Sequence, residues 1–292
     1  MPKFVKLALT ALIGGILLAM WWTHYGNAWG GLSRIEPWWL AWALVLLLAS
    51  LALQWVRTSL LMGNGNWTPI LAPVVLSHGV NVLAPSLLGD LLEIGALNRI
   101  LNRPSRAILT RLVFRFLTTV SALCMLAGVA MGVLHPNVGF GVIAAAAVLP
   151  FFADQTTAWW SQYVAIPGTA PIEPMDPLGI TTTATHTFLS WVQHAFSAAS
   201  VFLLGAAINE AVSPATAAGM LSLADLATYL PVPLAGVGIH HWSVSSVAEL
   251  MGSMPTGLVL INHAILVLVG GVCAITGWWL IPDKSLLTRQ NG

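Results

Sequence analysis

The stretch NVLAPSLLGD, residues 81–90, interrupts an apolar segment with a proline and a glycine, and the expected fold follows from it. A second apolar segment carries a similar interruption, YLPVPLAGVG, at residues 229–238. Helix breakers at bilayer depth free backbone N–H and C=O groups that lipid cannot satisfy, so they persist only where protein or a wet cavity covers them. A pair of broken segments in two halves of a chain points to the binding site of a transporter.

The composition places the chain in a membrane. Of its 292 residues, 57% are hydrophobic and only 7% are charged, whereas a soluble domain carries about 25% charged residues. Tryptophan pairs at 21–22, 38–39, 159–160 and 278–279 stand where apolar runs end, as the aromatic belts of a bilayer interface require. The net charge of +1 provides no basic surface for nucleic acid. The expected partners are therefore the lipid bilayer and a membrane lipid or lipid-linked substrate, and no nucleic acid.

Apolar runs long enough to cross about 30 Å of hydrocarbon predict an all-α, polytopic transmembrane helix bundle with about six full spans. The runs cover residues 5–22, 38–55, 108–134, 139–160, 183–207 and 256–281. Two further segments, 57–99 and 211–250, must each enter and leave on one face if arginines and lysines stay in the cytoplasm. We therefore expect two re-entrant broken-helix loops that enter from opposite faces. They would belong to inverted repeats at about 38–134 and 183–281 within a single membrane domain, 1–292.

Basic residues near the two ends set the expected orientation. Lys3 and Lys6 precede the first apolar run, and Lys284 and Arg289 follow the last one. By the positive-inside rule, both termini are predicted to be cytoplasmic. No small-residue cleavage site follows the first run, so it is interpreted as a retained anchor. The expected location is the inner membrane of a cell, which the chain crosses several times.

The residues of both interruptions resemble a known family. The pattern N-x-x-x-P-x-x-x-G-D at 81–90, LNR at 97–99 and ILTR at 108–111 resemble the first repeat of the lysylphosphatidylglycerol synthase transmembrane-domain family. Its members are flippase-like integral membrane proteins. PVPLAGVGI at 231–239 is similar to the later proline–glycine loop of that family. The resemblance implies translocation of a lipid or polyisoprenoid-linked amphiphile. It does not imply lipid aminoacylation, because the soluble catalytic domain of the aminoacyl-transferase members has no counterpart in this sequence.

The chain departs from the family pattern at charged positions. The family usually places Glu after the first glycine and Arg three residues later, where this chain has Asp90 and Glu93. After the second loop, where an acidic residue is common, the chain has His240 and His241. The lipid chemistry that these positions serve is therefore expected to differ here.

The candidate substrate-binding residues lie at the two interruptions and at the start of the following span. Half-helix N-termini at the breaks would present backbone N–H groups to an anionic head group. Arg111 and Arg115 are four residues apart near the start of a span, and a planar guanidinium suits a phosphate. The alternatives for these arginines are snorkelling to the headgroups or an internal ion pair. The full set is Asn81, Pro85, Gly89, Arg111, Arg115, Pro233, Gly236 and Gly238.

The candidate proton-coupling residues are Asp90, Glu93, Asp225 and His240. Asp90 and Glu93 share one helix face because they are three residues apart. They form either a proton or cation site, or an interfacial pair with Arg99 or Arg103. Asp225 lies alone in an apolar run, where a carboxylate is neutral or paired; the alternative is a structural hydrogen bond. The histidine titrates in the physiological range.

The sequence predicts no metal, no cofactor and no catalytic residue. His186 and His194 lack the i, i+4 spacing of a helical metal pair. The favoured function is a proton-coupled transporter or flippase. The alternatives are a membrane-embedded enzyme that acts on a lipid head group, and a non-catalytic membrane partner of an envelope assembly. A lipid phosphatase would need clustered histidine and arginine residues, and in the sequence these two types lie in different segments.

Overall fold

The computed structural model describes residues 35–63, 67–83, 88–103, 105–163, 178–228 and 256–281. Within these residues the chain forms eight α-helices and no β-strand. The helices are α1 (Pro37–Met62), α2 (Thr68–Leu83), α3 (Leu88–Leu101), α4 (Ser105–Leu134), α5 (Pro136–Tyr163), α6 (Ile180–Ala207), α7 (Pro214–Thr228) and α8 (Thr256–Leu280). The predicted all-α bundle is confirmed.

Five helices are long and apolar enough to cross a membrane: α1, α4, α5, α6 and α8. They coincide with five of the six predicted spans, and the remaining one, residues 5–22, lies outside the described residues. The chain is therefore a multi-pass membrane protein. The inner membrane and the cytoplasmic position of both termini stay predictions.

The first interruption separates two short helices. α2 ends at Leu83 and α3 begins at Leu88, so the break falls at the predicted place. The two helices pack against each other, and Pro73 lies inside α2 without ending it. The re-entrant path of this pair through the membrane stays a prediction. The same holds for segment 211–250, whose interruption at 229–238 lies outside the described residues.

The long helix of each predicted half packs on the short helix of the other. α8 crosses α2, and α4 crosses α7, while α1 and α6 pack directly on each other. These three contacts are reciprocal if α1, α2 and α4 correspond to α6, α7 and α8, whereas the packing of α4 on α6 has no such counterpart among the described residues. Two related repeats would produce this reciprocal pattern, although the repeat itself stays a prediction.

Glycines allow the closest of these helix crossings. A Cβ on Gly79 of α2 would lie 2.2 Å from the backbone nitrogen of Ala274 in α8. On the neighbouring turns, a Cβ on Gly277 would lie 2.4 Å from the backbone nitrogen of Leu76. Membrane helices associate through such close backbone approach because lipid leaves little hydrophobic driving force between them. The position of α2 against α8 therefore depends on glycine.

Glu210, in the link between α6 and α7, caps the N-terminus of α8. Its Oε1 accepts a hydrogen bond from the N–H of Gly257 at 3.0 Å, and its Oε2 accepts one from the N–H of Leu258 at 3.2 Å. The carboxylate thereby satisfies two N–H groups that have no partner within the helix. It also places negative charge at the positive end of the helix dipole.

Glu210→Ala is expected to lower the free energy of unfolding by about 1 kcal/mol, the usual cost of losing a helix cap. Glu210→Gln should lose less, because it retains one acceptor oxygen without the charge. Thermal unfolding in detergent, followed by tryptophan fluorescence, is expected to give the highest midpoint for the wild type, a lower one for Glu210→Gln and the lowest for Glu210→Ala. Equal midpoints for the wild type and Glu210→Ala would show that this cap contributes nothing.

Candidate functional site

A cluster of buried polar and charged side chains lies where α1, α3, α4 and α6 meet, and we call it the polar core. Its members are Arg57 and Thr58 of α1, Glu93 of α3, Arg115, Thr118 and Thr119 of α4, and His186, Ser190 and Gln193 of α6. None of these residues is more than 9% exposed. Arginine and glutamate are almost never this deeply buried in proteins unless they are paired.

Polar stripes on two apolar helices build most of the polar core. Arg115 and Thr118 are three residues apart on α4, and His186 and Ser190 are four apart on α6, so each pair shares a helix face. The two stripes face each other, because the hydroxyl of Ser190 donates a hydrogen bond to the carbonyl of Thr118 at 3.0 Å. Helical periodicity therefore places these side chains together in the interior.

Glu93 and Arg115 form an ion pair in the polar core. Nη1 of Arg115 donates to Oε1 of Glu93 at 2.6 Å, and Nη2 donates to Oε2 at 2.9 Å. Nη1 also donates to the hydroxyl of Thr58 at 2.7 Å. Glu93 is fully buried, so this bidentate geometry is what makes its charge tolerable in the interior. Of the alternatives considered for Arg115, the structure has the internal ion pair.

Asp90 approaches the same guanidinium from a more exposed position. Its Oδ1 lies 3.7 Å from Nη2 of Arg115, and its side chain is 36% exposed. The predicted shared face of Asp90 and Glu93 is confirmed, because both carboxylates meet Arg115. Among the described residues, both carboxylates thus form an ion pair with Arg115.

Arg57 is a second buried guanidinium, and it is not among the site residues that the sequence predicts. Its Nη1 donates to Oε1 of Gln193, and its Nη2 donates to the hydroxyls of Thr118 at 3.0 Å and Thr119 at 3.2 Å. Arg57 therefore joins α1 to both α4 and α6. The signal that could have identified it is the run Arg57-Thr-Ser59 inside an otherwise apolar helix.

Asn81 bridges the break between α2 and α3. Its Oδ1 accepts a hydrogen bond from the N–H of Gly89 at 2.9 Å, and its Nδ2 donates to Oδ1 of Asp90 at 3.1 Å. A Cβ on Gly89 would lie 2.2 Å from the carbonyl oxygen of Ser77, so only glycine fits this approach. The structure thus assigns Asn81 and Gly89 the task of holding Asp90 beside Arg115. Their direct contact with substrate stays a prediction.

Asn81→Ala is expected to lower the free energy of unfolding by about 1–3 kcal/mol, since it removes the acceptor of the Gly89 N–H and one of the donors to Oδ1 of Asp90, which keeps the Ser77 hydroxyl at 3.4 Å. Asn81→Asp should keep the acceptor for Gly89 but place a second carboxylate against Asp90, so it is expected to destabilise the protein more than Asn81→Ala does, through like-charge repulsion. Thermal unfolding of both variants under the same conditions checks this order. An Asn81→Asp variant as stable as the wild type would contradict it.

The other candidate residues have the following positions. Arg111 is half-buried on α4, one turn before Arg115, and Asp225 is half-buried on α7. Pro85, Pro233, Gly236, Gly238 and His240 lie outside the described residues.

The tertiary structure brings together histidine and arginine residues that lie in separate segments of the sequence. Nδ1 of His186 lies 3.1 Å from the hydroxyl oxygen of Thr118, which also accepts a hydrogen bond from Arg57. The His186 ring packs against Phe114, with 5.3 Å between the ring centroids. The separation of these two residue types along the sequence therefore does not keep His186, Arg57 and Arg115 apart in the folded protein.

Within the part of the chain that the structure describes, no three His, Cys, Asp or Glu side chains are grouped as a metal site requires. Comparisons of the chain with known protein families, with curated proteins and with solved structures found no match. The family resemblance stays a prediction.

Proposed function

We propose that the protein is a flippase-type transporter that moves an anionic amphiphile, a lipid or a polyisoprenoid-linked head group, across the bilayer. The observation that carries the proposal is the buried Glu93–Arg115 pair. Arg115 lies about 12 Å along α4 from Ala107, where the membrane-length apolar segment begins, at 1.5 Å per residue. A charge at the bilayer centre costs about 2.5–3.5 kcal/mol on insertion scales, and charged residues within the membrane mark substrate or proton pathways.

The carboxylates around Arg115 support coupling to protons. Glu93 occupies both terminal nitrogens of the guanidinium, while Asp90 lies 3.7 Å away and is more exposed. Protonation of Glu93 would release the guanidinium, which can bind a phosphate with the same bidentate geometry. In this proposal Asp90, the more exposed carboxylate, passes the proton to Glu93. A head group would then enter with a proton and leave when Glu93 binds Arg115 again.

The helix arrangement supports alternating access. Glu93 lies on α3, which packs on α2, and α2 in turn packs on α8. Arg115 lies on α4, which packs on α5, α6 and α7 and also touches α3. Apart from the contact between α3 and α4, the two members of the ion pair therefore belong to helices that pack on different partners. A rocking of one set against the other would separate Glu93 from Arg115, as exchange of a bound head group requires.

A second candidate function is a membrane-embedded enzyme that acts on a phosphorylated lipid head group. The convergence of His186 with Arg57 and Arg115 favours it, because histidine and arginine together bind phosphate and transfer protons. None of these three residues is more than 8% exposed. A head group would have to enter the bundle to reach them, which favours transport.

Reconstitution in liposomes tests both functions. The probe is phosphatidylglycerol with a fluorescent label on its head group, and a membrane-impermeant quencher is added outside. Transport predicts a time-dependent loss of the protected inner-leaflet fluorescence, faster at pH 5.5 than at pH 8, with the lipid unchanged by mass spectrometry. A modified lipid product would support the enzyme instead. The absence of both signals would contradict both proposals for this lipid and favour the role of a membrane partner.

A further inference from the structure

His186 has a hydrogen-bonding atom that the proposed transport cycle does not use. The side chain is fully buried, and its Nε2 has no hydrogen-bond partner among the described residues. Its other nitrogen, Nδ1, lies 3.1 Å from Oγ1 of Thr118. Buried polar atoms in proteins are nearly always hydrogen-bonded, so an exception at the centre of a polar cluster calls for a physical explanation.

The hydrogen bonds of Thr118 determine which nitrogen of His186 carries the proton. The Thr118 hydroxyl donates to the carbonyl of Arg115 at 2.8 Å and accepts from Nη2 of Arg57 at 3.0 Å. A hydroxyl has one hydrogen and two acceptor positions, so Nδ1 of His186 donates to the remaining position. In the neutral ring, Nε2 is then a bare acceptor.

The charged groups around the ring are consistent with this neutral form. Arg57 of α1 and Arg115 of α4 both act electrostatically on His186, and a third positive charge would be repelled in a low-dielectric interior. Glu93 of α3 is engaged by Arg115. Asp154 of α5 accepts hydrogen bonds at the start of α6, from the N–H of Leu178 and the hydroxyl of Thr183.

We propose that Nε2 of His186 binds one O–H donor, so that the polar core contains a binding site for a hydroxyl-bearing group. The donor is either an internal water molecule or a hydroxyl of a lipid head group, and both present the same chemistry to Nε2. A head group that has neither an O–H nor an N–H donor cannot fill this position. The site stands on the hydrogen bonds of Thr118 and on the burial of Nε2, and it does not require the protein to be a transporter.

His194 provides an internal reference for this site. It lies two turns further along α6, and its Nδ1 lies 2.8 Å from the carbonyl oxygen of Ser190. A carbonyl can only accept a hydrogen bond, so His194 also carries its proton on Nδ1. The two histidines therefore share one tautomer, with the proton on Nδ1, so the NMR signals of His194 provide a reference for those of His186.

Nitrogen-15 NMR of the full-length, histidine-labelled protein tests the proposal. Spectra are recorded in detergent, in phosphatidylcholine nanodiscs, whose head group has no O–H donor, and in phosphatidylglycerol nanodiscs, whose head group has two. The His186 signals are assigned by their loss in His186→Asn, which retains an N–H donor toward Thr118 but lacks the Nε2 acceptor. If that variant does not fold, contacts to the Phe114 ring assign them in the wild type.

The expected result is a non-protonated Nε2 whose chemical shift is that of a hydrogen-bonded acceptor. Such a shift in all three media identifies an internal water as the donor, and such a shift in phosphatidylglycerol alone identifies the head-group hydroxyl. A free-acceptor shift in all three media, or a proton on Nε2, would overturn the proposal. Since NMR reads the nitrogen directly, failure here and failure of the liposome assay are independent results.

Discussion

Arg115→Gln is expected to lower the free energy of unfolding by about 3–5 kcal/mol, because it leaves the Glu93 carboxylate charged and buried without its partner. Glu93 is fully buried and receives both of its guanidinium hydrogen bonds from Arg115. The glutamine amide can replace one of these bonds but none of the positive charge. Reversible unfolding in mixed micelles, followed by tryptophan fluorescence, measures the loss.

The double variant Glu93→Gln/Arg115→Gln separates stability from function. Replacing both charges with neutral amides of similar length removes the uncompensated charge, so most of the stability is expected to return. The proposed transport is expected to be absent from this variant, because neither the carboxylate nor the phosphate-binding guanidinium of the pair is left. Glu36→Gln is the matched control, since Glu36 is exposed beside the start of α1 and its side chain forms no capping hydrogen bond. A double variant that transports at the wild-type rate would show that the pair is purely structural.

Gly277→Ala is expected to lower the free energy of unfolding by about 1–3 kcal/mol, as overpacking of a well-packed interior does. The added Cβ would lie 2.4 Å from the backbone nitrogen of Leu76 and 2.6 Å from its Cα. These atoms belong to the backbone of α2, so rotating a side chain cannot relieve the overlap, and α2 must move away from α8. Thermal unfolding in the same detergent measures the loss.

Gly271→Ala is the matched control on the same helix. A Cβ on Gly271 would meet no heavy atom within 4 Å, so the substitution is expected to increase stability by up to about 1 kcal/mol through helix propensity. The two variants make the same chemical change six residues apart, and their expected changes in the free energy of unfolding have opposite signs. If both variants change the free energy of unfolding equally, Gly277 of α8 does not lie as close to the Leu76 backbone of α2 as the structure indicates.

The spans were predictable because crossing the bilayer requires a continuous apolar run, which is a local property. The five runs that fall on described residues all became membrane-length helices. The break at 81–90 was predictable for the same reason, since proline and glycine act on their own backbone. The shared face of Asp90 and Glu93 followed from helical spacing alone.

The partners of the polar core were not predictable in this way. Arg57, Arg115 and His186 lie on three different helices, and nothing in their local sequence indicates that the hydroxyl of Thr118 will contact all three of them. The same limit applies to Asn81, which looked like a residue that binds substrate. The structure uses both ends of its amide to fasten the start of α3.

The sequence by itself determined that the chain is a helical membrane protein, where five of its spans lie and where its first broken segment falls. These properties depend on hydropathy and backbone chemistry within one segment. Only the tertiary structure decided that Glu93 pairs with Arg115 and that Arg57 and His186 join them. The physical reason is that a buried charge takes its partner from whichever helix packs beside it, and helix packing depends on contacts between distant parts of the chain.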